Sequence, residues 1–168
     1  MNLCVRIEHR DRHLSRRVRD IAQEAASLVA RRVGALPRTE LILTNGRDLG
    51  KLATDAERAV AGGGSAGRRP DESVFGRTVL SPGGVLVLVN ADRHTGRGRD
   101  EVDTTLVHEL VHAAQFHRPG ARAELLAGLR HNYGIEPISD SRARAMNRRI
   151  DRDEREATRL ERLARHLS

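Results

Sequence analysis

Residues 104–117 read TTLVHELVHAAQFH, and the fold turns on how this stretch is read. From Leu106 to Ala114 every residue except His108, Glu109 and His112 is apolar, which predicts a helix buried nearly all round. Three polar groups in such a helix need partners. His108 and His112 are four apart, so they stand one turn apart on one face. Two imidazoles so placed can both reach one zinc ion at about 2.1 Å. Glu109 points to another side of the helix, too far round to be an equal ligand but placed to act as a general base. The competing reading makes the histidines core residues bonded to carbonyls and Glu109 a surface acid. A metal satisfies all three groups in one step.

Working outward, the helix is predicted over 101–117, stopped by Pro119-Gly120. Before it, VLVLVN (85–90) is apolar up to Asn90, which predicts a strand shielded on both faces. It pairs as a hairpin with SVFGRTVL (73–80) across SPGG (81–84), and 91–100 reads as a loop. Further upstream the pattern gives a strand over 3–9, a helix over 11–34, a strand over 40–44 ended by Asn45-Gly46, and a helix over 47–60. The glycine-rich segment 61–72 reads as a flexible surface insertion or a lid, and no Gly-Lys-Ser/Thr makes it a phosphate loop. Downstream lie a helix over 121–132 and one long charged helix over 140–166. The fold expected is α+β in a single domain, 1–168: a small mixed sheet, the 101–117 helix upon it, and the C-terminal helix crossing beneath that helix.

Composition narrows the classes. Lys51 is the only lysine among 30 basic residues, and the formal charge is +7. That balance favours acidic partners such as nucleic acid, but the arginines are spread along the chain among 23 acids, and only Phe75, Phe116 and Tyr133 are aromatic. Solvated helix faces explain most of the charge. Cys4 is alone, so neither an internal disulfide nor a cysteine zinc site is expected. No apolar run spans a bilayer and the start lacks an apolar signal core, so the expectation is a cytoplasmic chain with no membrane partner.

His108-Glu109-Leu110-Val111-His112 resembles the H-E-x-x-H helix of zincin metallopeptidases, and Thr105 and Ala114 also suit that family's longer pattern. The layout of 10–117 is similar to a minimal zincin. The resemblance implies a zinc cofactor, Glu109 as catalytic base, and an edge strand in the 73–90 hairpin that takes extended peptide by strand addition.

A catalytic zinc wants a third protein ligand. Gln115 and Arg118 stand where metzincins need glycine and histidine, so His117 reads instead as a helix C-terminal histidine. The gluzincin pattern takes a glutamate from a later helix, and Glu154, three before Ala157 and four before Thr158, matches it best, as in ImmA/IrrE-type peptidases. Thr158 replaces the usual Asp or Asn. Glu156, Asp153 and Glu124 remain alternatives, Asp153 because it lies near the centre of the apolar stripe. Asp151, Glu161 and their neighbours read as surface acids paired with arginines. Tyr133 and His131 are candidate oxyanion donors.

The function expected is zinc-dependent hydrolysis of a peptide bond in a protein or peptide substrate, with Glu109 as base. The alternatives are a DNA-associated SprT-like protease, in which His131 is the nearest third histidine, and a non-catalytic basic binding or regulatory protein.

Overall fold

Val85–Val89 carries no polar side chain because both of its faces are covered. The computed structural model describes residues 3–64 and 72–168. Among them four strands form one sheet: β1 (Leu3–Ile7), β2 (Thr39–Thr44), β3 (Gly76–Ser81) and β4 (Gly84–Asn90). The order is β1-β2-β4-β3, so β4 is central and β3 is an edge. β1 and β4 run parallel to β2, with Val5 opposite Leu41 and Leu41 opposite Val87; β3 is antiparallel to β4, with Thr78 opposite Val87.

Six α-helices surround this mixed sheet: α1 (Arg12–Arg32), α2 (Gly46–Ala61), α3 (Ala91–His94), α4 (Arg99–Phe116), α5 (Ala121–Asn132) and α6 (Asp140–Leu160), the last continued by a 3-10 helix, Glu161–His166. The fold is α+β, with the long C-terminal helix in place. One core joins α1 and α4 to one sheet face through Leu41, Leu43, Val87 and Val89. A second joins α2 to the other face through Ile42, Leu86, Leu88, Leu49 and Ala53. α4 lies on β3, β4 and α1, and α6 with its 3-10 continuation lies on α4.

The local chemistry of the ends follows the sequence closely. Asp11 caps α1, accepting from the amides of His13 and Leu14. Asn45 caps α2 by accepting from the Asp48 amide, so Asn45-Gly46 opens a helix as well as ending a strand. Gly62 closes α2 at φ 90°, a left-handed conformation that suits glycine. Residues 65–71, most of the glycine-rich insertion, lie outside the described residues. Several boundaries depart from expectation: β1 ends at Ile7 and not at 9, and β3 begins at Gly76 and not at 73. The 91–100 loop contains α3, capped by Asn90, and α4 begins two residues early at Arg99. The tail helix tightens to 3-10 from Glu161. Among the described residues no helix is long and apolar enough to cross a membrane.

Candidate metal centre

α4 carries the site and is the most deeply buried of the long helices. Leu106, Val107, Leu110, Val111 and Ala113 are fully buried, which fixes the helix's rotation and turns His108 and His112 toward a cleft. That cleft holds about 540 Å³. β3 forms one wall, from Gly76 to Leu80; Leu125 and Leu129 of α5 and Ile150, Asp153 and Glu154 of α6 form much of the rest.

The two imidazoles are held from behind. His108 Nδ1 lies 2.8 Å from Glu161 Oε1, and His112 Nδ1 lies 2.8 Å from Gln115 Oε1. Each partner atom is an acceptor, so each Nδ1 donates to it and each Nε2 is left to face the cleft. The Gln115 amide is oriented in turn, its nitrogen donating to the Asp153 carbonyl at 2.9 Å and to Glu156 Oε2 at 3.0 Å. The two Nε2 atoms then face each other at 3.0 Å. Glu154 reaches the same point from α6, with Oε1 3.2 Å from His112 Nε2 and Oε2 3.5 Å from His108 Nε2.

With both rings neutral, a divalent cation is the one partner that could meet all three groups at once. His108, His112 and Glu154 each offer an atom within 4.8 Å of the others. Two nitrogens on a tetrahedral zinc stand about 3.4 Å apart, close to the 3.0 Å seen, so the donor set and its spacing fit a zinc-type ion. The Nδ1 partners are of the kind that hold metal-binding histidines in orientation.

Glu109 is 7% exposed and its backbone and carboxylate both meet the Thr78 hydroxyl, at 2.9 Å and 2.7 Å. The hydroxyl has one proton, and the shorter contact places it on the carboxylate. Burial pushes the Glu109 carboxyl up to about 7, and the negative Glu154 adds to this; His112, Thr78 and Arg77 pull the other way. A carboxyl poised near neutrality suits a general base. β3 comes very close here: a Cβ on Gly76 would lie 2.7 Å from Glu109 Cγ and 2.9 Å from Oε1. This position needs glycine for space.

The remaining candidates are engaged with other partners. Glu156 is paired with Arg118 at 2.7 Å, and hydrogen bonds from Gln115 and Arg118 hold its carboxyl below the usual range despite burial. Asp153 lies between Arg118 and Arg149, at 3.4 Å and 3.5 Å. Glu124 pairs with Arg149 at 3.6 Å. His131 is exposed and accepts from the Ile138 amide, away from the cleft wall. Tyr133 is buried, with its hydroxyl 3.4 Å from the Thr54 carbonyl and from Glu57, so it is committed to α2 and not to the cleft. His117 is the C-cap of α4, as expected.

Two residues were misread from sequence. Glu161 is no surface partner of an arginine but the anchor of His108. Gln115 appeared only as a departure from the metzincin pattern, yet at 1% exposure it positions His112. The one available signal for Gln115 was a long polar side chain in an apolar run, three after a histidine. No family model, curated protein or solved structure matches the chain.

Proposed function

We propose that this chain is a metal-dependent peptidase whose ion is held by His108, His112 and Glu154 and whose base is Glu109. The observation that carries the reading is the approach of His108, His112 and Glu154 ligand atoms to within 4.8 Å of one another, next to a buried carboxyl and above an edge strand. When bound, a zinc-type ion supplies a Lewis acid that acidifies water and polarises a carbonyl.

The chain's own residues do the rest. β3 offers the unpaired edge of the sheet along the cleft, where an extended peptide can add as a further strand. Thr78 holds one Glu109 oxygen and leaves the other to take a proton from the attacking water. Having taken it, Glu109 is a neutral acid beside the leaving amine and can return it. The wall formed by α5 and α6 limits solvent on the far side. A carboxylate from a later helix as third ligand supports the gluzincin resemblance of the ImmA/IrrE type. It weighs against the SprT-like alternative, since His131 lies away from the site.

The test combines metal content and turnover. Protein purified without chelator should hold one zinc per chain and cleave an unfolded protein substrate. Glu109→Gln should keep the zinc and lose about 10²–10⁴-fold in turnover, the usual contribution of a general base. Cleavage by Glu109→Gln at the parental rate removes the base assignment, and zinc-free parent protein removes the site.

A further inference from the structure

α6 packs on α4 and α5 and buries Ala157 and Leu160 there. On its opposite face Arg144, Arg148, Arg152, Arg155 and Arg159 are all exposed. They follow one another at intervals of four, four, three and four residues. At about 100° per residue they fall within one arc of about 80°, and the ridge runs about 22 Å along the helix. Arg162 follows three residues later in the 3-10 continuation.

This ridge is not neutralised. None of the five arginines has an ion pair or a hydrogen bond among the described residues. Glu156 feels the charge of Arg159, but its carboxylate accepts from Gln115 and Arg118. Asp153 pairs with Arg118 and Arg149, and Glu154 faces the two histidines. Asp151 flanks the ridge, exposed and without an ion pair. Arg159 and Arg162 border a cleft with Asp100 and Glu161, so the open charge is greatest from Arg144 to Arg155.

Elsewhere an exposed cation has an acid four residues on: Arg16 has Asp20, Lys51 has Asp55 and Arg97 has Glu101. On the ridge the residue four on is another arginine, as in Arg144–Arg148, Arg148–Arg152 and Arg155–Arg159. Like charges at that spacing oppose the helix, and α6 has little burial to offset them. A polyanion laid along the ridge would turn this repulsion into attraction.

The surroundings select the polyanion. No large apolar side chain lies on the ridge, and the exposed Ile150 belongs to the metal cleft, so the face has nothing to sink into a lipid layer. No aromatic residue stands in α6, so the bases of a single strand would find nothing to stack on. Guanidinium groups suit phosphate oxygens. The wide major groove of B-form DNA admits a helix with phosphates on either side, whereas the A-form groove of duplex RNA is too narrow. We propose that the arginine ridge of α6 is a sequence-independent docking surface for duplex DNA, its guanidinium groups meeting phosphates. Its length matches about six phosphates of one strand. The inference stands apart from the peptidase reading, since none of these arginines lines the metal cleft.

The test is fluorescence anisotropy of the full chain with a labelled mixed-sequence DNA duplex, at salt from about 50 to about 200 mM. Affinity should fall with salt at a logarithmic slope of about −4.5, the value for five phosphate contacts. The triple variant Arg148→Gln, Arg152→Gln, Arg155→Gln should bind about 100-fold more weakly at the lower salt and flatten the slope by about three. A second triple, Arg12→Gln, Arg19→Gln, Arg31→Gln, removes the same charge from exposed positions of α1. It should stay within about threefold of the parent and keep its slope. By circular dichroism the ridge triple should keep its helix, because it loses like-charged neighbours. Should it lose helix, Arg152→Gln alone decides, with an expected flattening of about one. No binding at the lower salt, equal losses in the two triples, or tighter binding to duplex RNA or to anionic lipid vesicles than to DNA overturns the proposal.

Discussion

Glu109 pays for its position in stability, and the cost has a definite pH signature. Its carboxyl titrates near 7 in the folded chain against an ordinary value of 4.5. Between those values the folded state binds more protons than the unfolded one, so stability falls as pH rises from about 4.5 to about 7. The loss is complete above that window and amounts to about 3 kcal/mol at most. In metal-free protein, Glu109→Gln should therefore shift the urea midpoint upward at pH 8 and leave it near the parental value at pH 4.5. Equal midpoints at both pH values would show that the carboxylate is better solvated than its burial implies. Glu161 supports a second prediction at this scale. Because its carboxylate accepts from His108 Nδ1 at 2.8 Å, Glu161→Gln should weaken zinc affinity about 10–100-fold in a chelator competition, as outer partners of metal-binding histidines do. The exposed Asp151→Asn should leave affinity unchanged. His108, Glu109 and His112 stood out as candidates in sequence because the two histidines share a helix face and all three interrupt an apolar run. Glu161 was not: it is 53 residues from His108, in a tail where every acid has arginines for neighbours, and only the crossing of two helices singles it out.

Elements were legible where their periodicity is long and where both faces report on burial. β4 announced itself by unbroken apolar character, and it is the strand covered by α1 and α4 on one side and α2 on the other. α1 showed helical spacing through Leu14, Val18, Ile21, Ala25 and Val29, and those residues are buried. α3 did not show, since four residues give no period and its cap, Asn90, reads equally well as the end of a strand. Nor did the pattern of β3 reveal how close it lies to α4. Gly76 reads in sequence as one more position of the 73–80 strand, but any side chain there would collide with Glu109. Gly76→Ala should displace the Glu109 carboxylate without disturbing His108 or His112. The expected result is full zinc content with turnover reduced about 100-fold, the scale of a catalytic group misplaced by an ångström. Gly83→Ala, in the hairpin turn where a Cβ meets nothing within 4 Å, is the control and should behave as the parent. If both variants turn over alike, the close approach has no catalytic consequence.

Across the whole molecule the two sides of the candidate centre differ in how firmly they are held. α4 is locked among the sheet, α1 and the C-terminal segment, and Asp103 ties it to Arg17 by contacts of 3.0 Å and 2.6 Å. α6 buries only Ala157 and Leu160 along 21 residues, and the Glu154 side chain is 54% exposed. Few buried apolar contacts mean low local stability, so α6 should open more readily than the chain as a whole. Its attachment near the site otherwise depends on Arg118 reaching Glu156 and Asp153 and on Gln115 reaching the Asp153 carbonyl. An ion shared by His108, His112 and Glu154 would bridge the rigid and the loose element, and binding energy gained only in the closed arrangement stabilises that arrangement. Zinc should therefore slow amide exchange across 150–161 strongly while hardly altering β4 or α1, whose exchange already requires unfolding of the core. Glu154→Ala should abolish that local protection even at zinc concentrations that still occupy the two histidines. Uniform slowing over the whole chain, or protection confined to 105–113, would mean that α6 takes no part in holding the ion, and the third ligand would have to be sought elsewhere.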